Sequence, residues 1–265
     1  MHTKTGLKED LATLGIDPKG TLLVHSSMKQ IGDVAGGADT VLDALSEYMV
    51  EGLLVLPTHT WSYVGREKPV FDREHSPSCV GILTELFRQR PGVHRSLHPT
   101  HSVAALGRGA ETFVRGDELC DTPCHRSSVW GRLFDRHAQI ILVGVDLNRM
   151  TYFHGVEEWV DVPGRLTDGH QTLYTVLPSG QRKPVPSRRH CGSPSDHFHK
   201  VDHIMRAAGV MHIGQFGSAE TRVCQARPMA TLLMDMLRKD PELFSDSSVL
   251  KPDLERWALG REETK

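Results

Sequence analysis

The sequence predicts an α/β fold with helices packed on a sheet, and three observations carry that reading. Residues 21–25, 53–57 and 139–145 are short apolar runs, partly β-branched, with the length of buried strands. Between the first two, residues 40–50 place Val41, Leu42, Leu45, Tyr48 and Met49 at helical spacing. Strand, polar turn, helix and strand in that order form a βαβ unit.

The elements follow along the chain. Residues 7–14 read as a short amphipathic helix closed by Gly15. Ser26 and Ser27 end the first strand. Asp39 or Thr40 is placed to cap the helix at 40–50. The strand at 53–57 is followed by the polar Thr58, His59 and Thr60 and by Trp61. Residues 62–78 are rich in Pro, Gly and charge and predict a surface loop. Residues 81–90 predict a helix ended by Pro91 and Gly92, and residues 102–106 a short strand. The run at 139–145 is the clearest strand. It turns at 146–150 into a helix at 151–159, with Thr151 as its cap. Residues 173–177 and the turn at 178–181 predict a hairpin whose second strand Pro184 and Pro186 keep short. A helix at 198–208, strands at 210–216 and 221–224 around Gly217, and an amphipathic helix at 228–239 complete the pattern. The tail after Pro252 reads as largely solvated. No repeat or linker divides the chain, so residues 1–265 are expected to form one domain.

The chain has 265 residues, enough to bury a substantial core. Its 31 Lys plus Arg against 33 Asp plus Glu give a net charge of −2, which supplies no general attraction to nucleic acid or an anionic membrane. A local basic pocket for a phosphorylated cofactor stays compatible with that balance. No apolar run reaches the roughly 20 residues that cross a bilayer. The polar N-terminus lacks the apolar core of a signal peptide, so a cytoplasmic location is expected. Five scattered cysteines in a chain of this size read as reduced thiols.

Several constellations carry chemistry. His25, Ser26 and Ser27 end a strand, where open α/β sheets place ligands. Free N–H groups there suit a phosphate, and a plain strand-to-helix turn fits as well. His59 and Thr60 also follow a strand. His59 reads either as a substrate contact or as a hydrogen-bonded structural residue. His154 and Glu157 lie three apart on a helix and share a face, and a carboxylate beside an imidazole makes a general base. A surface His–Glu pair has the same spacing. Cys120, Cys124, His125, His190, Cys191, His197 and His199 are metal-capable types, but their spacing matches no compact zinc pattern, so no metal is expected. Residues 161–200 are basic and His-rich.

Seven segments in order resemble the aminoglycoside 3-N-acetyltransferase family, which is distinct from the GNAT acetyltransferases. They begin with Leu22 to Met28, Gly36 to Leu45 and Leu54 to Trp61. Arg95 to Gly107 and Ser128 to Leu133 follow. Leu142 to Asp146 with Thr151, His154 and Glu157 form a T-x-x-H-x-x-E segment, and Gly217 to Arg222 close the set. The resemblance covers nearly the whole chain. It implies a three-layer α/β domain with a central mixed sheet flanked by helices. It also implies acetyl-CoA as cosubstrate and an amine acceptor, an aminoglycoside or a related amine-bearing small molecule. By position it implies that His25, Ser26 and Ser27 hold the CoA phosphates or pantetheine. His98, Thr100 and Ser102 would line the CoA channel. His154 would be the base, supported by Glu157, and His59, Thr60, Glu158 and Glu220 would lie toward the acceptor. The sequence does not fix the oligomeric state, and a homodimer is compatible with it. A zinc-dependent hydrolase and a non-catalytic CoA-binding protein are the competing readings.

Overall fold

A computed structural model describes residues 1–260; the last five residues of the expected 1–265 domain lie outside the described residues. The strands are β1 (Thr21–Ser26), β2 (Leu53–Pro57), β3 (Val70–Asp72), β4 (His94–Arg95), β5 (Val103–Gly107), β6 (Gln139–Val143), β7 (Gln171–Val176), β8 (Arg182–Ser187), β9 (Met211–Phe216) and β10 (Ala219–Gln225). The helices are α1 (Lys4–Thr13), α2 (Met28–Ile31), α3 (Gly37–Tyr48), α4 (Ile82–Phe87), α5 (Ala110–Val114), α6 (Val129–Asp135), α7 (Thr151–Trp159), α8 (Asp202–Ala207), α9 (Ala226–Lys239) and α10 (Pro252–Leu259). None of the described helices is long and apolar enough to cross a membrane.

The central sheet runs β4-β5-β2-β1-β6-β10-β9. β1 lies parallel to both β2 and β6, and the outer pairs are antiparallel. The mixed sheet is covered on both faces, which explains the continuous apolar runs. Alternation along β1 sends Leu22 and Val24 toward a core with residues of α1, α3 and α4. Leu23 points the other way, into a core built with α5 to α10. These are the three layers. Because β1 is flanked by β2 on one side and β6 on the other, the carboxyl ends of all three open at one edge. That is where a crevice forms in such sheets.

A second sheet, β3-β7-β8, packs Phe71 and Leu173 with Val64 into its own small core. Arg95, 4% exposed, ties it to the main sheet. Its guanidinium donates to the carbonyls of Arg73, Ser76 and Thr58 at 2.9, 2.6 and 2.8 Å and lies 4.9 Å from the Phe71 ring.

Several local expectations are corrected. The stretch 62–78 is not all loop, because it contains β3, which pairs with β7. Neither Asp39 nor Thr40 caps α3. The cap is Gly36 at φ 79°, while Asp39 and Asp43 bind Arg90. Thr151 does not cap α7, since the cap position is Met150. β8 is as long as β7 despite its prolines, because at a sheet edge a missing N–H breaks no ladder bond. The tail is not simply solvated, because α10 buries Leu254 and Ala258 on α8 and α9.

Gly144 ends β6 at φ 64° and turns the chain toward α7. A Cβ there would lie 2.2 Å from the Gln30 Cβ. Gly144→Ala is therefore expected to cost about 2 kcal/mol or more from strain and collision together. Urea denaturation checks this, and an unchanged midpoint would contradict it.

Candidate active site

A cleft of about 550 Å³ opens at the carboxyl ends of β1, β2 and β6. His25 and Ser26 come from β1, and His59 and Trp61 follow β2. Thr100 and His101 come from the turn before β5. Asn148, Arg149, Thr151 and His154 follow β6, and Arg189 and His190 follow β8.

Helix α7 is amphipathic in a specific sense. Tyr152, Phe153 and Val156 enter the core, which leaves Thr151, His154, Glu157 and Glu158 as a polar stripe at i, i+3 and i+4 spacing. His154 Nδ1 donates to Glu157 Oε2 at 3.1 Å. A carboxylate only accepts, so Nδ1 carries a proton, and the tautomer this fixes for the neutral ring leaves the lone pair on Nε2. Glu157 is 1% exposed, whereas His154 is 16% exposed on the cleft wall. Its ring stacks on His190 at 4.5 Å and packs on Phe198 at 4.9 Å.

A second imidazole–carboxylate pair runs beside the first. His190 Nε2 donates to Glu158 Oε1 at 2.7 Å. Glu158 also accepts from the Thr122 hydroxyl at 2.6 Å and the Cys124 N–H at 2.9 Å. Burial pushes the Glu158 carboxyl up to about 7. At the carboxyl end of α7, Glu157, Glu158, Asp161 and Asp168 line a separate cavity of about 230 Å³ with Arg165 and Arg188.

The rest of the histidine cluster is neutral. Burial lowers His25 to about 4, and it lowers His59, His98, His101 and His190, with neighbouring imidazoles adding to the effect at His59, His101 and His190. His59 shares a hydrogen bond between its Nε2 and the Thr151 hydroxyl at 3.1 Å, while its buried Nδ1 has no partner. An unpaired lone pair is tolerated better than an unpaired N–H. The proton therefore sits on Nε2 and goes to Thr151 Oγ1, leaving the Thr151 hydroxyl proton free.

The cleft thus gathers His25, Ser26, His59, Thr100 and His154 from the sequence-derived set. The others lie elsewhere. Ser27 uses its N–H on the Val143 carbonyl at 2.9 Å and is not on the wall. Thr60 is buried with its hydroxyl on the Pro99 carbonyl. His98, 1% exposed, closes its own turn by accepting the N–H groups of Thr100 and His101 on Nδ1 and donating Nε2 to the Thr122 carbonyl. Ser102 is buried and donates to the Thr58 carbonyl beside Arg95. Glu220, 61% exposed, pairs with Arg222. Sequence reasoning missed His101, Arg149 and Arg165 altogether. It noted His190 as a metal-capable type and Arg189 only as a member of a His-rich, basic stretch.

Most of the metal-capable residues stay apart. His199, for example, bonds Asn148. Among the described residues, the one group that comes together is Cys124, Glu158 and His190, within 4.8 Å of one another. Glu158 is satisfied there by hydrogen bonds without an ion. All five cysteines are free thiols, and burial pushes Cys124 well up.

The buried histidines make stability depend on acid. Below the ordinary imidazole value near 6.5 the unfolded chain binds protons that the folded histidines refuse. Stability therefore falls as pH drops from about 6.5 toward 4. Glu158 acts in the opposite direction between about 4.5 and 7, one group against five. Tm is expected to decline through this window, and His25→Asn should reduce the protons taken up on unfolding by about one. Calorimetry at several pH values measures both, and a flat Tm from pH 7 to 4.5 would contradict the assignment.

Comparison with known proteins follows the same outline. The family model for aminoglycoside 3-N-acetyltransferase matches residues 23–238. Aminoglycoside N(3)-acetyltransferase VII of Streptomyces paromomycinus is 32% identical, over 85% of this chain and 88% of the relative. The solved apoenzyme of aminoglycoside acetyltransferase AAC(3)-IVa is similar with a TM-score of 0.77 at 26% identity, covering 97% of each chain. A His-to-Ala variant of that enzyme in complex with a gentamicin gives a TM-score of 0.80 at 25% identity, again over 97% of each chain.

Proposed function

The chain is an acyltransferase of the aminoglycoside 3-N-acetyltransferase family, and we propose that it moves the acetyl group of acetyl-CoA directly onto a primary amine of an aminoglycoside or related small molecule, with His154 as general base. The observation that carries this is the His154–Glu157 pair. The carboxylate is buried behind the ring, the ring lies on the cleft wall, and Nδ1 is committed to Glu157.

The cleft suits a donor with a diphosphate. Arg149 is exposed on its wall and Arg189 is held by the carbonyls of Val64 and Trp61, and neither meets a carboxylate among the described residues. Ser26, at the end of β1, adds a hydroxyl to the same wall. Acetyl-CoA would supply the acetyl group as an activated thioester. His154 Nε2 takes the proton that the acceptor nitrogen must lose to attack. Glu157 stabilises the imidazolium that results, which returns the proton to the coenzyme A thiolate as the C–S bond breaks. The Thr151 hydroxyl, freed by the tautomer of neutral His59, is the donor this chain offers to the developing oxyanion. Such a donor contributes on the order of 3 kcal/mol.

A covalent route through cysteine is disfavoured. Cys124 is fully buried, is not on the cleft wall, and holds its proton tightly.

The test is thiol release from acetyl-CoA over a panel of amines that includes kanamycin- and gentamicin-type acceptors. His154→Ala should lose about 10²–10⁴-fold in kcat, while Cys124→Ala should stay active. Turnover of His154→Ala at the wild-type rate would remove the base assignment. Arg149→Gln is expected to raise KM for acetyl-CoA by about 2–5-fold at low salt, and KM for S-acetylpantetheine, which lacks the diphosphate, should not change. Equal effects on both donors would place Arg149 outside the phosphate contacts.

A further inference from the structure

Glu157 has a second partner besides His154. Its Oε1 accepts from Nε of Arg165 at 2.8 Å, while Oε2 accepts from His154 Nδ1 at 3.1 Å. The carboxylate is 1% exposed and the Arg165 side chain 11% exposed. A carboxylate this deeply buried needs a charged, hydrogen-bonded partner to offset its lost hydration, and neutral imidazole alone does not supply one. A planar guanidinium does, and its donors also fix the plane of the carboxylate.

Arg165 is itself held at both ends. Nη2 donates to the Ser245 hydroxyl at 3.2 Å. Its backbone carbonyl accepts from the Cys191 N–H at 2.8 Å. The residue that grips Glu157 therefore also anchors the segment whose His190 stacks on His154. One short stretch after α7 thus bears on the Nδ1 edge of the His154 ring, through Glu157, and on one of its faces, through His190.

We propose that Arg165 is a positioning residue for acyl transfer, holding the Glu157 carboxylate so that His154 keeps its proton on Nδ1 and presents Nε2 to the cleft. This rests on the reading of His154 as the base. Arg165 lines the cavity of about 230 Å³ at the carboxyl end of α7, so a small cation from solution has a route to the place its side chain would leave.

The experiment compares Arg165→Gln, Arg165→Ala and Arg165→Lys with the wild type, each first shown by Tm and circular dichroism to be folded at the assay temperature. Arg165→Gln should lower kcat by about 10–100-fold, as expected of a displaced catalytic group, with both KM values within about 2-fold. Arg165→Lys should recover part of the loss, and millimolar guanidinium should partly restore kcat in Arg165→Ala but not in His154→Ala. Long-range ¹H–¹⁵N spectra of the imidazoles should show one Nδ1–H tautomer for His154 in the wild type and a mixture in Arg165→Gln. A wild-type kcat in Arg165→Gln, or a loss of kcat with an unchanged tautomer and no guanidinium rescue, would overturn the proposal. Should His154→Ala keep full turnover, the reading of the base fails instead, and the tautomer spectra still decide what Arg165 does.

Discussion

The site depends on a single buried anion. Glu157 sits behind the cleft wall at 1% exposure, and a charge in that position persists only where its oxygens are fully paired. Its two oxygens meet two different donors, one from its own helix and one from the chain that follows. The consequence for His154 is geometric. The ring cannot turn without breaking the bond to Glu157, and it is packed between His190 and Phe198. The general base is thus positioned before any substrate arrives, which is where much of the catalytic advantage of a fixed group comes from.

Around this anion the sheet distributes charge by depth. The inner wall carries histidines that burial keeps neutral, so they orient groups without adding charge next to the base. The outer wall carries Arg149 and Arg189. At the carboxyl end of α7 a separate cavity gathers the carboxylates of Asp161 and Asp168 with those of Glu157 and Glu158. A chain of net charge −2 therefore offers two arginines to an anionic donor on a cleft wall where, among the described residues, Asp196 is the one carboxylate.

Much of this was legible in the sequence, for identifiable reasons. β1, β2, β6 and α7 are continuous patterns whose partners lie on both faces, so the apolar run alone reveals them. His154 and Glu157 share a helix, and i, i+3 spacing is a local property. β3, β4, α5 and α6 went unread as elements because each is short and is fixed by distant contacts, such as Phe71 on Arg95. Polar residues just after a strand were the main source of misplacement. His59 and Thr100 face the cleft, whereas Thr60, His98 and Ser102 turn back to satisfy buried carbonyls and N–H groups. Which way such a residue faces is decided by the neighbouring strand, which a linear reading does not contain. Arg165, 8 residues beyond Glu157, was hidden for the same reason.

The most direct measurement is a crystal structure of the chain with coenzyme A and an aminoglycoside acceptor. A primary amine nitrogen should lie within hydrogen-bonding reach of His154 Nε2, about 2.6–3.2 Å, with the thiol sulfur in the same cleft beside Thr151. A complex in which the sulfur and the amine meet elsewhere, with the imidazole at position 154 touching neither, would contradict the account.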